Sequence, residues 1–470
     1  MTFSSFRRGL FLAVFAALFL MAPGVRAQSG DDRVQQLETQ VRQLKSEIEA
    51  LKSSGPGGGD AARLEELERK VELLAGELEK LKIGEAAASA DRSDYGFGPA
   101  ASKVYRTERG LSIGGYGELF YQKIDEEEDD DDERTALKSE EDEEEEEEGA
   151  AGRQFDLRRA VVYVGYKWSD RILFNSEVDF EHAGEEVSVE FAYLDFLWKP
   201  QANFRAGLVL LPVGFLNELH EPTVFLGANR PDVERLILPS TWKENGFGLF
   251  GQAGPFSYRT YVVNGLNAEG FSDEGLRGGR QGGAEANAED LAWVGRLDYT
   301  GLPGLLVGGS LYAGNSGQGL EAAGRTVDVG TRIFEGHVEW RWRGLELRAL
   351  GVQADLDDVD RLNAALDIDE ADESVGERLK GYYLQLGYDV LASRGGARAL
   401  IPYARWETYN TQDRVPAGFA ANPANDVESL TLGVAFKPIE QVVLKVDFQN
   451  VDNEAGTGAD QFHALLGYVF

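Results

Sequence analysis

The chain has 470 residues and contains no cysteine, two methionines and four histidines. Disulfides, thiolate nucleophiles and sulfur-ligated metals are therefore excluded. Basic residues are also scarce, because 47 lysines and arginines face 81 acidic residues and the net charge is −34. We expect no nucleic-acid partner, since phosphate binding needs a basic face. We also expect no cofactor and no enzyme activity, because no histidine has a nucleophile and an orienting acid at a suggestive spacing.

Long apolar runs are missing beyond the amino terminus. Arg7 and Arg8 precede an apolar stretch, Leu10–Met21, and Val25-Arg26-Ala27 offers small residues for cleavage. This pattern predicts a secretory signal peptide over residues 1–27. A non-cleaved anchor is the alternative, but the apolar stretch is shorter than the roughly 20 residues of a spanning helix. The rest of the chain is then either a soluble secreted protein or a transmembrane β-barrel, whose strands are only half apolar.

Two heptad patterns lie between residues 28 and 84. Apolar residues recur at alternating spacings of three and four, which predicts a coiled-coil seam. They are Val34, Leu37, Val41, Leu44, Ile48 and Leu51, then Leu64, Leu67, Val71, Leu74, Leu78 and Leu81. The glycine-rich break at 53–59 leaves two arrangements open, association with other copies of the chain or a folded hairpin. A single amphipathic helix packed on its own domain is a third possibility, and residues 85–109 are interpreted as a linker.

From residue 110 onward the chain alternates apolar and polar residues, as in Val442–Phe448. This period of two is typical of strands with one face in each environment. We predict sixteen strands, over 110–123, 154–168, 171–182, 187–199, 202–213, 241–252, 255–265, 290–300, 304–314, 330–343, 344–355, 378–391, 397–410, 427–438, 440–452 and 461–470.

The connections between these strands are alternately tight and long. Short turns on one side and long loops on the other are typical of an outer-membrane barrel with an even strand count. We therefore predict an all-β transmembrane barrel of about 16 antiparallel strands over residues 110–470, preceded by the α-helical coiled coil. Both chain ends would lie on the short-turn, periplasmic side. A soluble β-sandwich is the rival fold.

The first long loop would carry an extreme charge, because residues 125–148 include 18 acidic residues. We interpret this stretch as a disordered, self-repelling external loop. The alternative is weak binding of divalent cations, since dense carboxylates suit Mg²⁺ or Ca²⁺. The candidate ligands are Asp125, Glu126, Asp129, Asp130 and Asp131.

Four stretches resemble the phosphate-selective porin O and P family of Gram-negative outer membranes. They are GYGELFY (115–121), FDLRRAVVYVGYKWSDRILFNSEVDFEH (155–182), FRAGLVLLPVGFLNELHEPTVF (204–225) and LILPSTWKENGFGLFG (236–251). The resemblance implies a porin with sixteen strands, embedded in outer-membrane lipid and assembled as a homo-oligomer, specifically a trimer. It also implies a third loop that folds into the barrel and narrows the pore, with basic residues that guide anions.

The resemblance places the constriction in loop 214–240. Its charged residues, the candidate constriction residues, are Glu218, His220, Glu221, Arg230, Asp232, Glu234 and Arg235. Arg158 and Arg159 resemble a basic pair of the family, and simple strand alternation lets only one of them face the lumen. The pore-lining candidates are Arg158, Arg159, Glu177, Asp179, Arg259, Arg296, Glu335, Glu339, Arg341, Arg348 and Lys445. This mixed lining departs from an anion-selective pattern, because a ring of one sign selects the opposite ion.

These observations predict a passive diffusion channel for small hydrophilic solutes and ions, with anions such as phosphate as the narrower alternative. The second hypothesis is a structural protein that tethers the envelope through its periplasmic coiled coil.

Overall fold

The structure is a computed structural model that describes residues 96–107, 109–124, 152–394 and 398–470, with seven positions near the amino terminus. The chain divides into two compact units, Met1–Ser89 and Ala90–Phe470. All seven described positions of the first unit are helical, and two of them, Ile48 and Leu67, are buried. The seven positions are Thr39, Gln43, Leu44, Ser46, Ile48, Leu67 and Lys70. The coiled coil remains a prediction, and the signal peptide and the acidic loop 125–148 lie outside the described residues.

The second unit is a closed barrel of sixteen antiparallel strands. Its strands are β1 Gly110–Ile124, β2 Arg153–Ser169, β3 Ile172–Glu181, β4 Glu186–Lys199, β5 Ala202–Leu210, β6 Lys243–Ala253, β7 Phe256–Asn264, β8 Leu291–Tyr299, β9 Leu305–Asn315, β12 Gly330–Trp342, β13 Leu345–Leu356, β14 Arg378–Tyr388, β15 Ala399–Arg414, β16 Asp426–Ile439, β17 Val442–Asn453 and β18 Gln461–Val469. Two further short strands, β10 Glu321–Ala322 and β11 Arg325–Thr326, form a hairpin in the connection between β9 and β12.

The barrel closes where its first and last strands pair. Tyr116 of β1 lies opposite Val469 of β18, and the Phe470 amide donates to the Gly115 carbonyl at 2.9 Å. Closure gives every strand two neighbours, so no edge is left with unpaired backbone groups. The predicted sixteen-stranded barrel is confirmed. The largest departures are β15, which continues to Arg414, and β5 and β14, which end three residues early at Leu210 and Tyr388.

Helices are few and short in the described part of the chain. α1 spans Lys103–Arg106, α2 spans Val359–Ala365, and Val233–Ile237 forms a π-helical turn. Single 3-10 turns occur at His182–Gly184, Ala268–Gly270, Arg277–Gly279, Ala392–Arg394 and Pro423–Asn425. None of the described helices is both long and apolar enough to cross a bilayer.

The two faces of the barrel wall differ sharply. Outward-facing positions carry exposed apolar side chains such as Trp342, Leu432 and Val446. Inward-facing positions carry polar and ionisable side chains that are almost all buried, such as Arg205, Glu407 and Lys445. We call the end with the tight turns, where β1 begins and β18 ends, the short-turn end, and the opposite end the long-loop end. The burial on the inner face shows that the barrel is filled.

Candidate functional site

The connection between β5 and β6, residues 211–242, folds into the barrel, and we call it the inner loop. Asn217 fixes its base, because its side-chain amide donates to the carbonyls of Leu211 (2.7 Å) and Trp242 (2.8 Å) and accepts from the Trp242 amide (2.6 Å). Glu234 holds the middle of the loop. Its carboxylate accepts from the amides of Phe215 and Leu216, both at 2.8 Å. Residues 211–228 are all buried except Leu219, which is half-buried. The rest of the loop is buried or half-buried.

Cations of the barrel wall donate hydrogen bonds to carbonyls of the inner loop. Lys437 binds the Thr223 carbonyl, Arg348 the Val224 carbonyl and Lys445 the Gly227 carbonyl, each at 2.7 Å. Two more such bonds run from Arg296 to Gly214 and from Arg405 to Asn229. These five cations come from β8, β13, β15, β16 and β17. Bonds from ionised donors are stronger than those between neutral groups, so they anchor the loop.

An aspartate, a glutamate and a tyrosine of the wall also bind the inner loop. The Ala228 amide donates to Asp447 at 2.7 Å, and His220 lies 3.0 Å from Glu177 of β3. Tyr383 of β14 donates to Glu234 at 2.7 Å. The inner loop therefore contacts β3 on one side of the barrel and β13 on the opposite side.

A second piece of chain fills the short-turn end. Residues 96–107, which we call the inner segment, belong to the stretch predicted as a linker, and they lie inside the barrel before β1 begins. Phe97 is buried among Phe191 and Tyr193, with the Arg205 guanidinium 4.8 Å from its ring. The carbonyl of Ala101 accepts from the Asn175 side chain at 3.0 Å.

The inner segment ends in a buried polar cluster. The Tyr105 hydroxyl donates to Asp195 at 2.8 Å and accepts from Arg205 at 2.9 Å. Arg205 and Asp195 form an ion pair at 2.8 Å that is almost wholly excluded from solvent. Gly165 on β2 leaves room for Val104, because a Cβ at that glycine would lie 2.7 Å from the Val104 Cβ.

Glu221 joins the inner segment to the inner loop. Its carboxylate accepts from the amides of Ala100 at 2.9 Å and Ala101 at 3.1 Å. Burial raises the pKa of Glu221 to about 7, although both amides favour the charged form. We call this contact the latch. Through the latch, the inner segment and the inner loop hold each other in place.

The remaining candidate constriction residues have separate partners. Glu218 lies 3.2 Å from Arg259, Arg230 donates to Thr241 at 2.7 Å, and Arg235 pairs with Asp232 at 3.2 Å. All seven residues belong to the inner loop, but they contact the wall, the inner segment and other parts of the loop instead of surrounding one opening. Their role in a constriction stays a prediction.

The eleven pore-lining candidates all point into the barrel, where charged partners or carbonyls hold them. Arg259 and Arg296 both contact Asp298 at 2.9 Å, and Glu339 accepts from Arg348 at 2.9 Å. The other pairings are Arg159 with Asp179 and Glu181, Glu177 with His220, Glu335 with His337, Arg341 with Glu339, and Lys445 with the Gly227 carbonyl. These side chains form an ionic network inside a filled barrel, and pore lining stays a prediction.

The expectation that only one of Arg158 and Arg159 faces the lumen is wrong. Glu118 pairs with Arg159 while Phe120 pairs with Asp156, so β2 has one residue more than β1 in this interval. Such a β-bulge places two neighbouring side chains on one face. Arg159 pairs with Glu181 at 2.8 Å, whereas Arg158 lies over the Phe120 ring and donates to Asn229 of the inner loop at 2.8 Å.

Several important residues were missed from the sequence. Arg205 and Asp195 sit on inward positions of clean alternating strands, so the period of two could have found them. Tyr105 and Phe97 offered no such signal, because the inner segment has no sustained period. Among the hydrogen bonds of the described residues, no serine or threonine hydroxyl contacts a histidine. The proposed divalent-cation ligands at 125–131 lie outside the described residues, and no acidic or histidine cluster suited to a metal occurs within the described part.

Comparison with known proteins places the chain in a family. No protein-family model matches it. An uncharacterized protein of Aquifex aeolicus (strain VF5) is 34% identical over 405 residues, which cover 83% of this chain and 87% of that protein. The chain belongs to the same family as this Aquifex protein. Membership of this family assigns no activity to the chain.

Solved structures with a similar fold include outer-membrane proteins. The anion-selective porin from Comamonas acidovorans is 10% identical with a TM-score of 0.48, covering 77% of this chain and 100% of that one. OmpF of Salmonella typhi, in complex with daunomycin, is 10% identical with a TM-score of 0.48, covering 77% and 98%. The trimer form of OmpT of Vibrio cholerae is 12% identical with a TM-score of 0.47, covering 77% and 100%. These scores are too low to support an inference about function.

Proposed function

We propose that the protein is an outer-membrane channel of the porin type for small hydrophilic solutes, and that it is closed in the described conformation. One observation carries this proposal: the closed sixteen-stranded wall has an apolar outer face and an ionisable inner face. An apolar outer face suits lipid, and a polar inner face suits a water-filled interior. A barrel of this strand number has an interior wide enough for an aqueous channel once its contents move.

The inner loop and the inner segment would close the channel. The loop is bonded to wall strands on opposite sides, and the segment occupies the short-turn end. Solute passage therefore needs at least one of them to shift. The inner segment is the simpler moving part, because its twelve residues are attached to the barrel at only one end, through β1.

Planar-bilayer recording of the purified full chain tests the channel. We expect brief discrete current steps in the wild type, and longer openings after deletion of residues 96–107. The same preparation denatured by heat serves as the control. Absence of steps from both the folded wild type and the deletion variant would contradict a channel.

Orientation and assembly follow the sequence predictions. We propose that the short-turn end faces the periplasm with the amino-terminal coiled coil, and that the chain forms a homotrimer in the Gram-negative outer membrane. The mass of the detergent-solubilised protein, measured by light scattering with the detergent subtracted, distinguishes a trimer from a dimer or a monomer.

The narrower alternative, a channel for anions such as phosphate, has one supporting feature. Lys437, Arg348 and Lys445 place three cations beside the inner loop, where an anion could replace the loop carbonyls they now bind. The acidic long-loop end argues against it, because like charges repel. Reversal potentials in gradients of potassium chloride and potassium phosphate decide between general and anion-selective passage.

The filled barrel also favours the second candidate function, a structural anchor that tethers the envelope through the coiled coil. A barrel interior packed with its own chain is what an anchor without a channel would show. Deletion of residues 28–84 separates the two functions. A channel keeps its conductance when this region is deleted. An anchor shows no conductance with or without the region, and its deletion impairs envelope integrity, measured as leakage of periplasmic protein.

A further inference from the structure

The outer face of the barrel carries three exposed tryptophans at its short-turn end. Trp168 of β2, Trp198 of β4 and Trp342 of β12 are exposed by 52%, 59% and 54%. Each of them is the last or the last but one residue of its strand. Tryptophan on the lipid side of a membrane protein prefers the boundary between acyl chains and headgroups. The three rings therefore mark the level of the headgroups in the leaflet at this end.

These tryptophans also have hydrogen-bond donors to offer. In the described part of the chain the indole N–H groups of Trp168, Trp198 and Trp342 donate to no other residue, whereas Trp293 donates to Thr260 at 2.8 Å. An indole with an apolar ring and a polar N–H suits a site that is dry on one side and wet on the other. The carbonyl and phosphate oxygens of a lipid are acceptors at this level.

A basic residue follows each of the three tryptophans within three positions along the chain. These residues are Arg171, Lys199 and Arg343, and all three are exposed. None of the three takes part in an ion pair of the described residues. We call the three tryptophans and the three cations the tryptophan–cation edge.

The turns hold these cations beside the tryptophans. The Leu197 amide donates to the Arg171 carbonyl at 2.7 Å, so the β2–β3 turn lies next to the end of β4. The Arg343 guanidinium lies 5.0 Å from the centre of the Trp342 ring. Arg343 has a φ of 50°, which asparagine and glycine adopt more readily than arginine. The turn therefore places a cation next to an indole although its backbone favours other residues.

The short-turn end is basic as a whole. Eight basic and three acidic residues lie in the tight turns and the strand ends beside them, over residues 167–172, 198–203, 252–256, 299–304, 341–345, 388–399 and 437–442. The cations of the edge also lie on distant parts of the wall, because β5, β6, β7, β8 and β9 separate β4 from β12. A lipid leaflet surrounds the barrel and contacts all of these parts. A soluble acidic partner would cover one side only, so the distribution favours lipid.

We propose that the tryptophan–cation edge binds the phosphate groups of anionic phospholipids in the leaflet at the short-turn end. This inference rests on the proposed location of the barrel in a membrane. The lipid phosphates accept from Arg171, Lys199 and Arg343, while the indole rings lie one level deeper, at the glycerol groups. Cations beside a membrane surface are attracted to anionic headgroups. A zwitterionic headgroup has the same phosphate, but its own cation offsets the charge.

Quenching of tryptophan fluorescence by brominated lipids measures which lipid contacts the edge. The full chain is reconstituted into phosphatidylcholine vesicles with equal fractions of either brominated phosphatidylglycerol or brominated phosphatidylcholine. We expect an affinity about fivefold higher for phosphatidylglycerol, as for one cation near an anionic surface. The preference should weaken in about 1 M salt, where the screening length is about 3 Å. Equal affinity for the two lipids at low salt would overturn the proposal.

Two triple variants separate the edge from the net charge of the protein. The first carries Arg171→Gln, Lys199→Gln and Arg343→Gln, and it should lose the preference. The matched control carries Arg153→Gln, Arg325→Gln and Arg361→Gln, at exposed positions of the long-loop end, and it should keep the preference. Both variants change the net charge equally, so an equal loss in both would refute the edge. Arg171→Lys with Arg343→Lys retains the charges and should bind phosphatidylglycerol like the wild type.

The same experiment distinguishes this proposal from the proposed channel. Quenching needs no current, so a closed barrel gives a full signal. A chain that does not insert shows no quenching by either lipid, which would contradict the proposed membrane location. An inserted chain that is quenched equally by both lipids would contradict only the tryptophan–cation edge.

Discussion

At the scale of single residues, Glu221 is the side chain that joins the inner loop to the inner segment. Its carboxylate is buried and accepts two backbone amides of the inner segment. Hydrogen bonds to an ionised acceptor are roughly twice as strong as neutral ones. The affinity of the segment for the barrel should therefore depend on this one side chain.

We expect Glu221→Ala to weaken the latch, because it removes the side chain that accepts from both backbone amides. Mean current in planar bilayers should rise several-fold. Glu269→Ala, at an exposed glutamate of the connection 265–290, is the matched control and should leave the current unchanged. Identical currents in the Glu221→Ala and Glu269→Ala variants would show that the latch does not limit opening.

The same carboxyl predicts a response to pH. Burial raises its pKa to about 7 in the latched state, whereas a hydrated glutamate titrates near 4.5. Between these values the latched state binds the proton and the released state does not, so acidification favours the latched, closed state. The other charged groups at this point are His220 and Glu177.

We therefore expect the mean current to fall roughly 50-fold between pH 7.5 and pH 5, because the pKa of Glu221 differs between about 7 and 4.5 in the two states and each pKa unit is a factor of ten. Glu221→Gln should flatten this profile. A current that increases on acidification, or an unchanged profile in the variant, would contradict the assignment to Glu221.

At the scale of elements, the inner segment is short, but three different elements hold it. Val104 of α1 packs on Gly165 of β2, Ala101 is bonded to Asn175 of β3, and Tyr105 reaches Asp195 of β4. A covalent link between the segment and the wall should therefore keep it in place without distorting the barrel.

A reversible lock tests whether the segment moves during opening. The pair Val104→Cys and Gly165→Cys suits a disulfide, because the two Cβ positions are 2.7 Å apart and a shift of about 1 Å reaches the usual separation of about 3.5–4.5 Å. The chain has no other cysteine to react. In a Glu221→Ala background, oxidation should suppress the current and reduction should restore it. The Val104→Cys variant alone is the control, because Gly165→Cys alone would clash with Val104. Equal currents before and after reduction of the double variant would mean that the segment stays in place when the channel opens.

How much of this could be predicted from the sequence depends on how local the signal is. The sequence predicts every strand end to within four residues, because alternation such as that of Val442–Phe448 indicates which face of a wall each residue occupies. The pair Arg158–Arg159 was misjudged because a bulge interrupts alternation, and a single-residue insertion leaves no mark in composition. The inner segment was read as a linker because its burial depends on partners such as Asp195 and Glu221, far away in the chain.

At the scale of the whole molecule, the net charge is concentrated at one end. Residues 125–148 carry 18 of the 81 acidic residues. The connections 265–290, 316–329, 357–377, 415–425 and 454–460 carry 19 more. The short-turn end has no comparable stretch. Such a one-sided distribution raises the local concentration of cations at the long-loop end and lowers that of anions.

We expect this distribution to make the open channel prefer potassium over chloride, as measured by the reversal potential in a gradient of potassium chloride. The preference should be strong near 0.1 M salt and weak near 1 M, because the screening length falls from about 10 Å to about 3 Å. Replacing five acids of the connection between β13 and β14 by their amides should reduce the preference at low salt. These acids are Asp367, Asp369, Glu370, Asp372 and Glu373. Asp170→Asn with Glu440→Gln, in short turns at the opposite end, is the control and should have little effect. A preference for chloride at low salt would contradict steering by the loops, and it would instead support the anion channel that Lys437, Arg348 and Lys445 could form.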